Sequence, residues 1–365
     1  MITVPLSYNE IGPDTLSRVL KSYAGRHHEE IIRDLEQKLS VVTGSPNVLA
    51  VTSGTSAMHL ALQVAGVNAG DYVIAPTFAY VATVSPAIYV GARLVLVDSE
   101  TKTWNIDPVL VRRAVEKLKH EGKRVGAMVV VHNYGVPADM DELAAIGREF
   151  SVPVIEDAAE SFGSTWRGKW TGTIGDIGVY SFNSNKTITG FGGGALVSSN
   201  ADWIAKARYL AAHARSNLPY YQHEVVGYNY RMSPITAAYV MTQLQIMPLL
   251  FERRRSIDGV YRAEGKKQGL IFQGILELGG FQPWLTACLL PGSLLPKNVL
   301  DKLNSAGIEG RRLWKPLHAQ PAFRHAESHG LALSSHLFDR GLVLPMGPDN
   351  VTPPAVVSEV LSALK

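Results

Sequence analysis

Cysteine is nearly missing from this sequence, since Cys288 is the only one among 365 residues. A single cysteine excludes an internal disulfide, and a buried thiol in a cytosolic protein is the expected state of such a residue. Long apolar runs are lacking as well, because none reaches the roughly 20 residues that span a bilayer. The first residues have neither the basic region nor the apolar region of a secretory signal. We therefore expect a cytoplasmic protein.

An excess of charge of one sign is also absent. The 35 Lys and Arg residues nearly balance the 32 Asp and Glu residues, which leaves a formal net charge of +3. No basic block and no basic stripe with interleaved aromatics occurs, so the composition does not favour a nucleic-acid partner. No G-x-G-x-x-G motif opens the first strand–helix unit, which argues against a dinucleotide-binding oxidoreductase.

The first part of the chain has continuous apolar segments that alternate with amphipathic ones. We predict strands at 48–52, 72–76, 94–97, 125–131 and 152–155, and helices at 29–42, 57–65, 108–120 and 140–150. This alternation is typical of a parallel sheet covered by helices on both faces. Two further strands, 178–182 and 194–198, are expected to be neighbours in the same sheet.

The chain is longer than one hydrophobic core usually supports, so a second domain is expected. A long helical stretch at 233–265 contains or precedes the predicted boundary, which divides the chain into 1–250 and 251–365. In the second part we predict a strand at 284–290, a helix at 297–305, a basic turn at 310–312 and a terminal helix from Pro354.

Two segments combine polar side chains with the end of a predicted strand. The segment 52–57, Thr-Ser-Gly-Thr-Ser-Ala, begins a helix, where free backbone N–H groups and small hydroxyls make an anion site. An ordinary N-cap explains the same residues. Asp157 follows another strand, at the edge where doubly wound sheets bind ligands. It is a candidate to hold a protonated ring nitrogen or a metal ion, or simply to cap a helix.

A lysine and a pair of aromatic residues follow other strands. Lys186 precedes the Gly-rich turn 190–194, and a desolvated lysine there would be nucleophilic, whereas a solvated one would not. Phe78 and Tyr80 place rings near the same edge, to stack on a cofactor or to pack in the core. Anion site, aromatic face, carboxylate and lysine together are what pyridoxal 5'-phosphate (PLP) requires. A buried Asp favours the protonated ring nitrogen.

In these segments and in further ones, called strings below, the sequence resembles the DegT/StrS family of sugar aminotransferases, within the fold type I PLP enzymes. The matching strings are Ser-Gly-Thr-Ser-Ala at 53–57, Glu-Asp-Ala-Ala-Glu at 156–160, Ser-Phe-Asn-Ser-Asn-Lys at 181–186, Gly-Tyr-Asn-Tyr-Arg-Met-Ser at 227–233, Arg-Leu-Trp-Lys-Pro-Leu-His at 312–318 and Arg-Gly-Leu-Val-Leu-Pro at 340–345. The resemblance implies an α/β fold: a large domain with a mostly parallel seven-stranded sheet flanked by helices, and a small α/β C-terminal domain.

The resemblance also implies roles for residues around the cofactor. Lys186 corresponds to the catalytic Schiff-base lysine, Asp157 to the partner of the pyridine nitrogen, and Tyr80 to the aromatic residue that stacks on the ring. Glu160 falls where the family has Gln, His or Glu near the phenolic oxygen. The residues that correspond to the phosphate cradle are Gly54, Thr55, Ser56 and Ser181.

Asn229 corresponds to an asparagine that reaches the partner's phosphate in family homodimers, although a turn residue would look the same. The family acts on nucleotide-linked hexoses that carry a keto group at C3 or C4. The strings at 181–186 and 312–318 look closer to the branch that aminates C4 of UDP-linked 4-keto-6-deoxy sugars. L-glutamate is the expected donor, and pyridoxamine 5'-phosphate the amino form of the cofactor.

Four residues of the 312–318 string are candidates for the sugar-nucleotide side of the site: Arg312, Trp314, Lys315 and His318. Arg and Lys suit a diphosphate, and a basic surface loop is the alternative.

Two departures from the family leave the substrate open. The turn at 190–194 lacks an acidic residue that many relatives carry there, and Asn133 stands where an apolar residue is usual. A C3-aminating dTDP-sugar aminotransferase, a sugar dehydratase on the same fold and a non-enzymatic binding protein remain alternatives. Lys186 argues against the dehydratase, because such relatives have His there.

Overall fold

The computed structural model describes residues 4–7, 13–292, 294–346 and 360. Helices among these residues are α1 (Pro13–Tyr23), α2 (His28–Thr43), α3 (Gly54–Val64), α4 (Ser85–Tyr89), α5 (Pro108–His120), α6 (Met140–Phe150), α7 (Ala201–Ala211), α8 (Pro234–Gln245), α9 (Met247–Lys267), α10 (Pro296–Ser305) and α11 (Ala332–Arg340). Strands are β1 (Asn47–Val51), β2 (Tyr72–Pro76), β3 (Arg93–Val97), β4 (Val125–Val131), β5 (Val154–Asp157), β6 (Thr165–Trp166), β7 (Lys169–Trp170), β8 (Ile177–Ser181), β9 (Gly194–Ser198), β10 (Ile271–Phe272), β11 (Gly279–Gly280), β12 (Thr286–Leu289), β13 (Arg311–Arg312), β14 (Glu327–His329) and β15 (Gly341–Leu344).

A large sheet organises the first part of the chain, with the strand order β1-β9-β8-β5-β4-β2-β3-β14. From β8 to β14 in this order each strand is parallel to its neighbours, whereas β9 is antiparallel to both β8 and β1. The expected pairing of the two strands that follow Asp176 is confirmed. The sheet has eight strands instead of seven, because the three-residue β14 returns from the C-terminal part to pair with β3.

Helices cover both faces of this sheet. On one face Val73 and Ala75 of β2 pack in an apolar cluster with α3 and α7. On the other face Tyr72 and Ile74 of the same strand pack with α5 and α6. Strand side chains alternate between the faces, so a central strand with both faces covered is apolar throughout, and β4 is buried at all seven positions.

The helical stretch predicted at 233–265 is two helices, α8 and α9, bent by 64°. Pro248 lies at the start of α9, and proline lacks the N–H that a continuous helix needs and disfavours helical geometry in the residue before it. Among the described residues no single helix is long and apolar enough to cross a membrane. In the same described part of the chain, one bent pair, α8 with α9, has a suitable length and composition when the two helices are taken together.

A second, antiparallel sheet has the order β10-β12-β15-β13. The basic turn expected at 310–312 is wrong in part, because Arg311 and Arg312 form strand β13, which pairs with β15. The terminal helix expected from Pro354 lies outside the described residues, apart from Val360. Helix α9 joins the two parts: Leu250 and Phe251 pack under the large sheet, whereas its later turns pack in the second core. The division at residue 250 stays a prediction.

Candidate active site

A cavity of about 1030 Å³ opens at the carboxyl ends of the parallel strands, between the large sheet and the smaller one. Doubly wound sheets bind ligands at this edge. Predicted site residues that line the cavity are Gly54, Thr55, Tyr80, Asp157, Glu160, Ser181, Lys186, Arg312, Trp314 and Lys315. Ser56, Asn229 and His318 are not among its lining residues.

Helix α3 begins at the cavity with a capping box. Ser53 Oγ accepts a hydrogen bond from Ser56 N at 3.0 Å, and Ser56 Oγ accepts one from Ser53 N at 3.0 Å. Ser56 is thus engaged in the cap and does not face the cavity. Within the described residues no protein group accepts a hydrogen bond from the backbone amides of Gly54 and Thr55. These two donors, at the positive end of the helix, are available to an anion.

Two glycines allow this first turn to lie close to the neighbouring strands. A Cβ on Gly54 would lie 3.0 Å from Ser181 Cβ and 3.4 Å from Ser181 Oγ. A Cβ on Gly194 would lie 2.6 Å from Gly54 N, closer than real Cβ contacts allow. The Gly-rich segment that leads into β9 therefore allows the two backbones to approach each other closely. It also brings the Ser181 hydroxyl next to the free amides of α3.

Asp157 ends β5 and is 8% exposed. Its Oδ2 accepts a hydrogen bond from Thr83 Oγ1 at 2.7 Å, and its Oδ1 accepts one from Ala159 N at 3.1 Å. Two donors on different segments therefore hold the carboxylate in one orientation at the cavity wall. A carboxylate fixed in this orientation suits a cationic partner such as a protonated ring nitrogen.

Lys186 follows β8 in a turn closed by a hydrogen bond from its own amide to the Asn183 carbonyl. Its Nζ lies 3.8 Å from Glu160 Oε1 and 3.8 Å from the centre of the Trp284 ring. Burial lowers the pKa of the Lys186 amine, and the charges of Glu160 and Asp157 oppose that shift. Burial also raises the pKa of Glu160, against the effect of nearby Lys186. The amine is thus nearer to its neutral, nucleophilic form than an exposed lysine.

Four aromatic rings line the cavity on this side, and the one over the amine is Trp284. Tyr134 and Trp314 stack with ring centres 5.9 Å apart, and Tyr134 and Trp284 stack at 6.2 Å. Tyr80 contacts Trp314 at 5.2 Å and is 51% exposed. An exposed ring at the mouth of a cavity is free to stack on a planar ligand.

The 312–318 string contributes unevenly to the cavity. The Arg312 guanidinium lies 3.9 Å from the centre of the Phe338 ring and donates to the Phe338 carbonyl at 2.5 Å. Lys315 is exposed. His318 lies outside the lining, with Nδ1 at 2.7 Å from Thr77 Oγ1, and burial lowers its pKa. Only the first part of the string therefore faces a ligand directly.

Asn229 is exposed and lies outside the cavity of its own chain. The adjacent rings of Tyr228 and Tyr230 stack with centres 4.9 Å apart, and both contact His59 on α3. The segment that carries Asn229 is thus fixed on the helix whose first turn faces the cavity.

Sequence reasoning missed Thr83, Tyr134 and Trp284. Tyr134 adopts a left-handed backbone, with φ of 56°. The Tyr134 amide donates a hydrogen bond to Glu160 Oε2 at 2.8 Å. Its carbonyl accepts a hydrogen bond from Trp284 N at 3.1 Å, and its hydroxyl accepts one from Trp314 N at 3.1 Å. The string His-Asn-Tyr-Gly at 132–135, directly after strand β4, was the available signal.

The residues present fit PLP. The cavity offers a buried amine, a carboxylate held by two donors, two free amides beside a hydroxyl for the phosphate, and an exposed ring. Among the described residues no group of three His, Cys, Asp or Glu is placed to hold a metal ion. The arrangement suits covalent capture of an aldehyde by Lys186 and proton transfer by its amine.

Comparison with known proteins shows relatives over nearly the whole chain. EpsN of Bacillus subtilis, named as a pyridoxal phosphate-dependent aminotransferase, is 42% identical over 323 residues, which cover 87% of this chain and 83% of that protein. GDP-perosamine synthase of Caulobacter vibrioides is 32% identical, covering 86% and 84%. UDP-2-acetamido-2-deoxy-3-oxo-D-glucuronate aminotransferase of Pseudomonas aeruginosa is 32% identical, covering 87% and 86%.

Solved structures share the fold. A DegT DnrJ EryC1 StrS aminotransferase from Brucella abortus superposes with a TM-score of 0.88 at 24% identity, covering 95% of this chain and 94% of that one. The aminotransferase TlmJ from Streptoalloteichus hindustanus gives 0.87 at 25% identity, covering 100% and 98%. The model of the DegT/DnrJ/EryC1/StrS aminotransferase family matches residues 10–365. The chain therefore belongs to this family and is a PLP-dependent aminotransferase.

Proposed function

We propose that this enzyme transfers an amino group from L-glutamate to the keto group of a nucleotide-linked sugar. One observation carries the proposal: a single cavity holds the buried amine of Lys186 together with the basic side chains of Arg312 and Lys315. Pockets for small ligands have volumes of about 300–1000 Å³, so this one has room for the cofactor and for a second, elongated ligand.

Each part of the cofactor has a matching group in the cavity. Lys186 would hold its aldehyde carbon, and the Asp157 carboxylate would face its ring nitrogen. The free amides of Gly54 and Thr55 and the Ser181 hydroxyl would hold its phosphate. Tyr80, the exposed ring at the mouth, would stack on its ring.

Bound PLP supplies a ring that stabilises negative charge on the carbon that gives up a proton. The chain's own part is to move that proton, and Lys186 Nζ is the base placed to do so. We propose that it takes the proton from the α-carbon of glutamate and later returns one to the sugar carbon. Burial favours its neutral form, which is the form that accepts a proton.

Charged groups on the more exposed side of the cavity suit a diphosphate. The guanidinium of Arg312, fixed against Phe338, offers donors in a planar fork, and Lys315 adds a mobile positive charge. We propose that Trp314, between these two residues, packs against the sugar. His318 would act through Thr77, with which it is in hydrogen-bond contact, rather than by touching the ligand.

The finer assignment is amination at C4 of a UDP-linked 4-keto-6-deoxy hexose, for glycan biosynthesis. The 312–318 and 181–186 strings support it. The named relatives include a GDP-perosamine synthase and a UDP-3-oxo-sugar aminotransferase, so GDP- and C3-type substrates belong in any test. The buried thiol of Cys288 fits a reaction in the cytoplasm.

We further propose that the working enzyme is a homodimer in which Asn229 reaches the partner's phosphate site. The loop before Asn229 exposes Tyr220, Tyr221, Val225 and Val226, with Val226 at 87%. Apolar side chains this exposed in one short loop are typical of an interface. A second copy of the chain would cover them and bring Asn229 to the other cavity.

Incubation with PLP, L-glutamate and a panel of UDP-, GDP- and dTDP-linked keto sugars tests the function. An amino sugar and 2-oxoglutarate, detected by mass spectrometry, are the expected products. A deoxygenated keto sugar would instead establish a dehydratase. Lys186→Ala is the matched control and should abolish both the product and the visible absorbance of the bound cofactor. Turnover that survives in this variant would overturn the role of Lys186.

Mixing two inactive variants tests the shared site. In a heterodimer of Lys186→Ala and Asn229→Asp chains, one site has both native residues and the other has neither. After subunit exchange, about a quarter of the wild-type activity should return, since half of the dimers are mixed. Mixing that restores nothing, although exchange is shown by mass, would contradict a site built from two chains.

A further inference from the structure

Trp284 contacts the catalytic lysine in two ways. The face of its indole lies over the amine, with Lys186 Nζ 3.8 Å from the ring centre. Its Nε1–H donates to the carbonyl of Asn185, the residue before the lysine, at 2.7 Å. One side chain therefore contacts both the reactive end of Lys186 and the backbone from which that side chain starts.

Trp284 is itself held firmly and is 2% exposed. Its amide donates to the Tyr134 carbonyl at 3.1 Å, and its carbonyl accepts from Arg254 Nη1 at 2.5 Å. Its ring stacks on Tyr134 at an interplanar angle of 8°. The Asn185 carbonyl also accepts from Ser7 Oγ at 2.9 Å. The indole therefore has little freedom to follow the lysine if the amine moves.

Charged groups near the amine include the carboxylates of Glu160 and Asp157, both on the side of the large sheet. Trp284 approaches from the segment that enters the small sheet. A cation over an indole face is stabilised by the ring's negative quadrupole, and more strongly where water is excluded. The amine thus lies between a carboxylate and an aromatic face.

We propose that Trp284 is a positioning residue for Lys186. The indole face of Trp284 holds the ammonium, and its Nε1–H holds the turn that precedes the lysine. The proposal rests on the role of Lys186 given above. At the stage when the amine is not bonded to the cofactor, the indole keeps it beside the reacting carbon and stabilises the proton that it carries. Without the indole, the amine would sample other rotamers of its long side chain.

Replacing Trp284 alone by difluorotryptophan, fluorinated on its six-membered ring, tests the first contact. The analogue keeps the shape and the N–H donor but weakens the negative potential of the ring face. In the full-length chain without cofactor, the pKa of Lys186 should fall by about half a pH unit. Competitive labelling with acetic anhydride, with Lys186 quantified by peptide mass spectrometry, measures this pKa. Lys297, which is 84% exposed, is the internal reference.

The same substitution at Trp170, which packs on Phe162, is the matched control and should leave the pKa of Lys186 unchanged. Trp284→Phe tests the second contact, since it keeps a ring but removes the donor to Asn185. It should slow cofactor capture several-fold with a smaller change in the pKa of Lys186. Equal labelling curves for the native and fluorinated chains would overturn the positioning role.

Borohydride reduction of the PLP-loaded samples separates the two proposals. A label on Lys186, together with an unchanged pKa in the fluorinated chain, refutes only the role of Trp284. A label on another lysine refutes the proposed function itself. A label on Lys186 with the expected fall in its pKa supports both.

Discussion

Glu160 Oε1 lies 3.8 Å from Lys186 Nζ, and both side chains are almost closed to water. In so dry a place each group alters the proton affinity of the other. The carboxylate favours the ammonium form of Lys186, while burial disfavours it. The balance determines at which pH the enzyme has a free amine.

Glu160→Gln removes this negative charge at nearly constant shape. The pKa of Lys186 should fall further, because the interaction that raises it is lost while burial remains. The pH midpoint of PLP capture, followed by the visible absorbance, should therefore move to lower pH by about one unit. Glu149→Gln, in an exposed pair with Arg112, is the control and should leave the midpoint in place. A midpoint that moved upward would contradict this account.

Tyr134→Phe removes the hydroxyl that accepts from Trp314 N. The partly buried amide of Trp314 is then left without that acceptor, which should reduce the free energy of unfolding by about 1 kcal/mol. Urea unfolding of the cofactor-free protein measures the loss. Tyr220→Phe, on an exposed ring, should change stability by less than about 0.5 kcal/mol. Equal stabilities for the two variants would show that this hydrogen bond contributes nothing.

Gly54→Ala adds a methyl group 3.0 Å from Ser181 Cβ at the predicted phosphate cradle. The added crowding should weaken PLP binding about tenfold with the fold retained. Fluorescence titration with the cofactor measures the affinity. In Gly259→Ala the new methyl group has nothing within 4 Å, so this helix variant should bind PLP normally. It should also gain about 0.5–1 kcal/mol of stability. Unaltered affinity in Gly54→Ala would exclude a tight cradle.

Cys288 is fully buried in the second core, and burial raises the pKa of its thiol to about 12. The thiolate is the reactive form, so a disulfide reagent should titrate no thiol in the native protein at neutral pH. In denaturant it should titrate one, because the sequence contains a single cysteine. Rapid reaction of the folded protein would indicate that this core opens.

Much of the fold was predictable because burial on both faces gives a strand an unbroken apolar sequence. The bounds predicted for β2, β4, β9, α5 and α6 agree with the structure. Strand β14 and helix α11 were not predicted, since three half-buried residues and a short mixed helix carry no such pattern. The predicted strand at 152–155 is shifted, because Glu156 and Asp157 continue β5 although both are acidic.

Glu156 shows why acidic residues can end a buried strand. Its side chain is completely buried. It accepts hydrogen bonds from the amides of Gly172, Ile174 and Gly175 and from His132 Nε2. A carboxylate with this many donors is stable without water. Those donors lie between 16 and 24 residues away in the chain, so no local pattern could reveal them.

The sequence by itself determined the alternation of strands and helices, and it placed a lysine, a carboxylate and a helix start after strands of one sheet. Parallel strands bring their carboxyl ends to one edge, so their order in the chain was enough to expect one site there. Only the tertiary structure decided that Trp284 covers the lysine amine, that Tyr134 holds Glu160 beside it, and that Ser56 and His318 face away. Those contacts join residues up to about 240 positions apart, and distances across a fold are fixed by packing, not by neighbours in the chain.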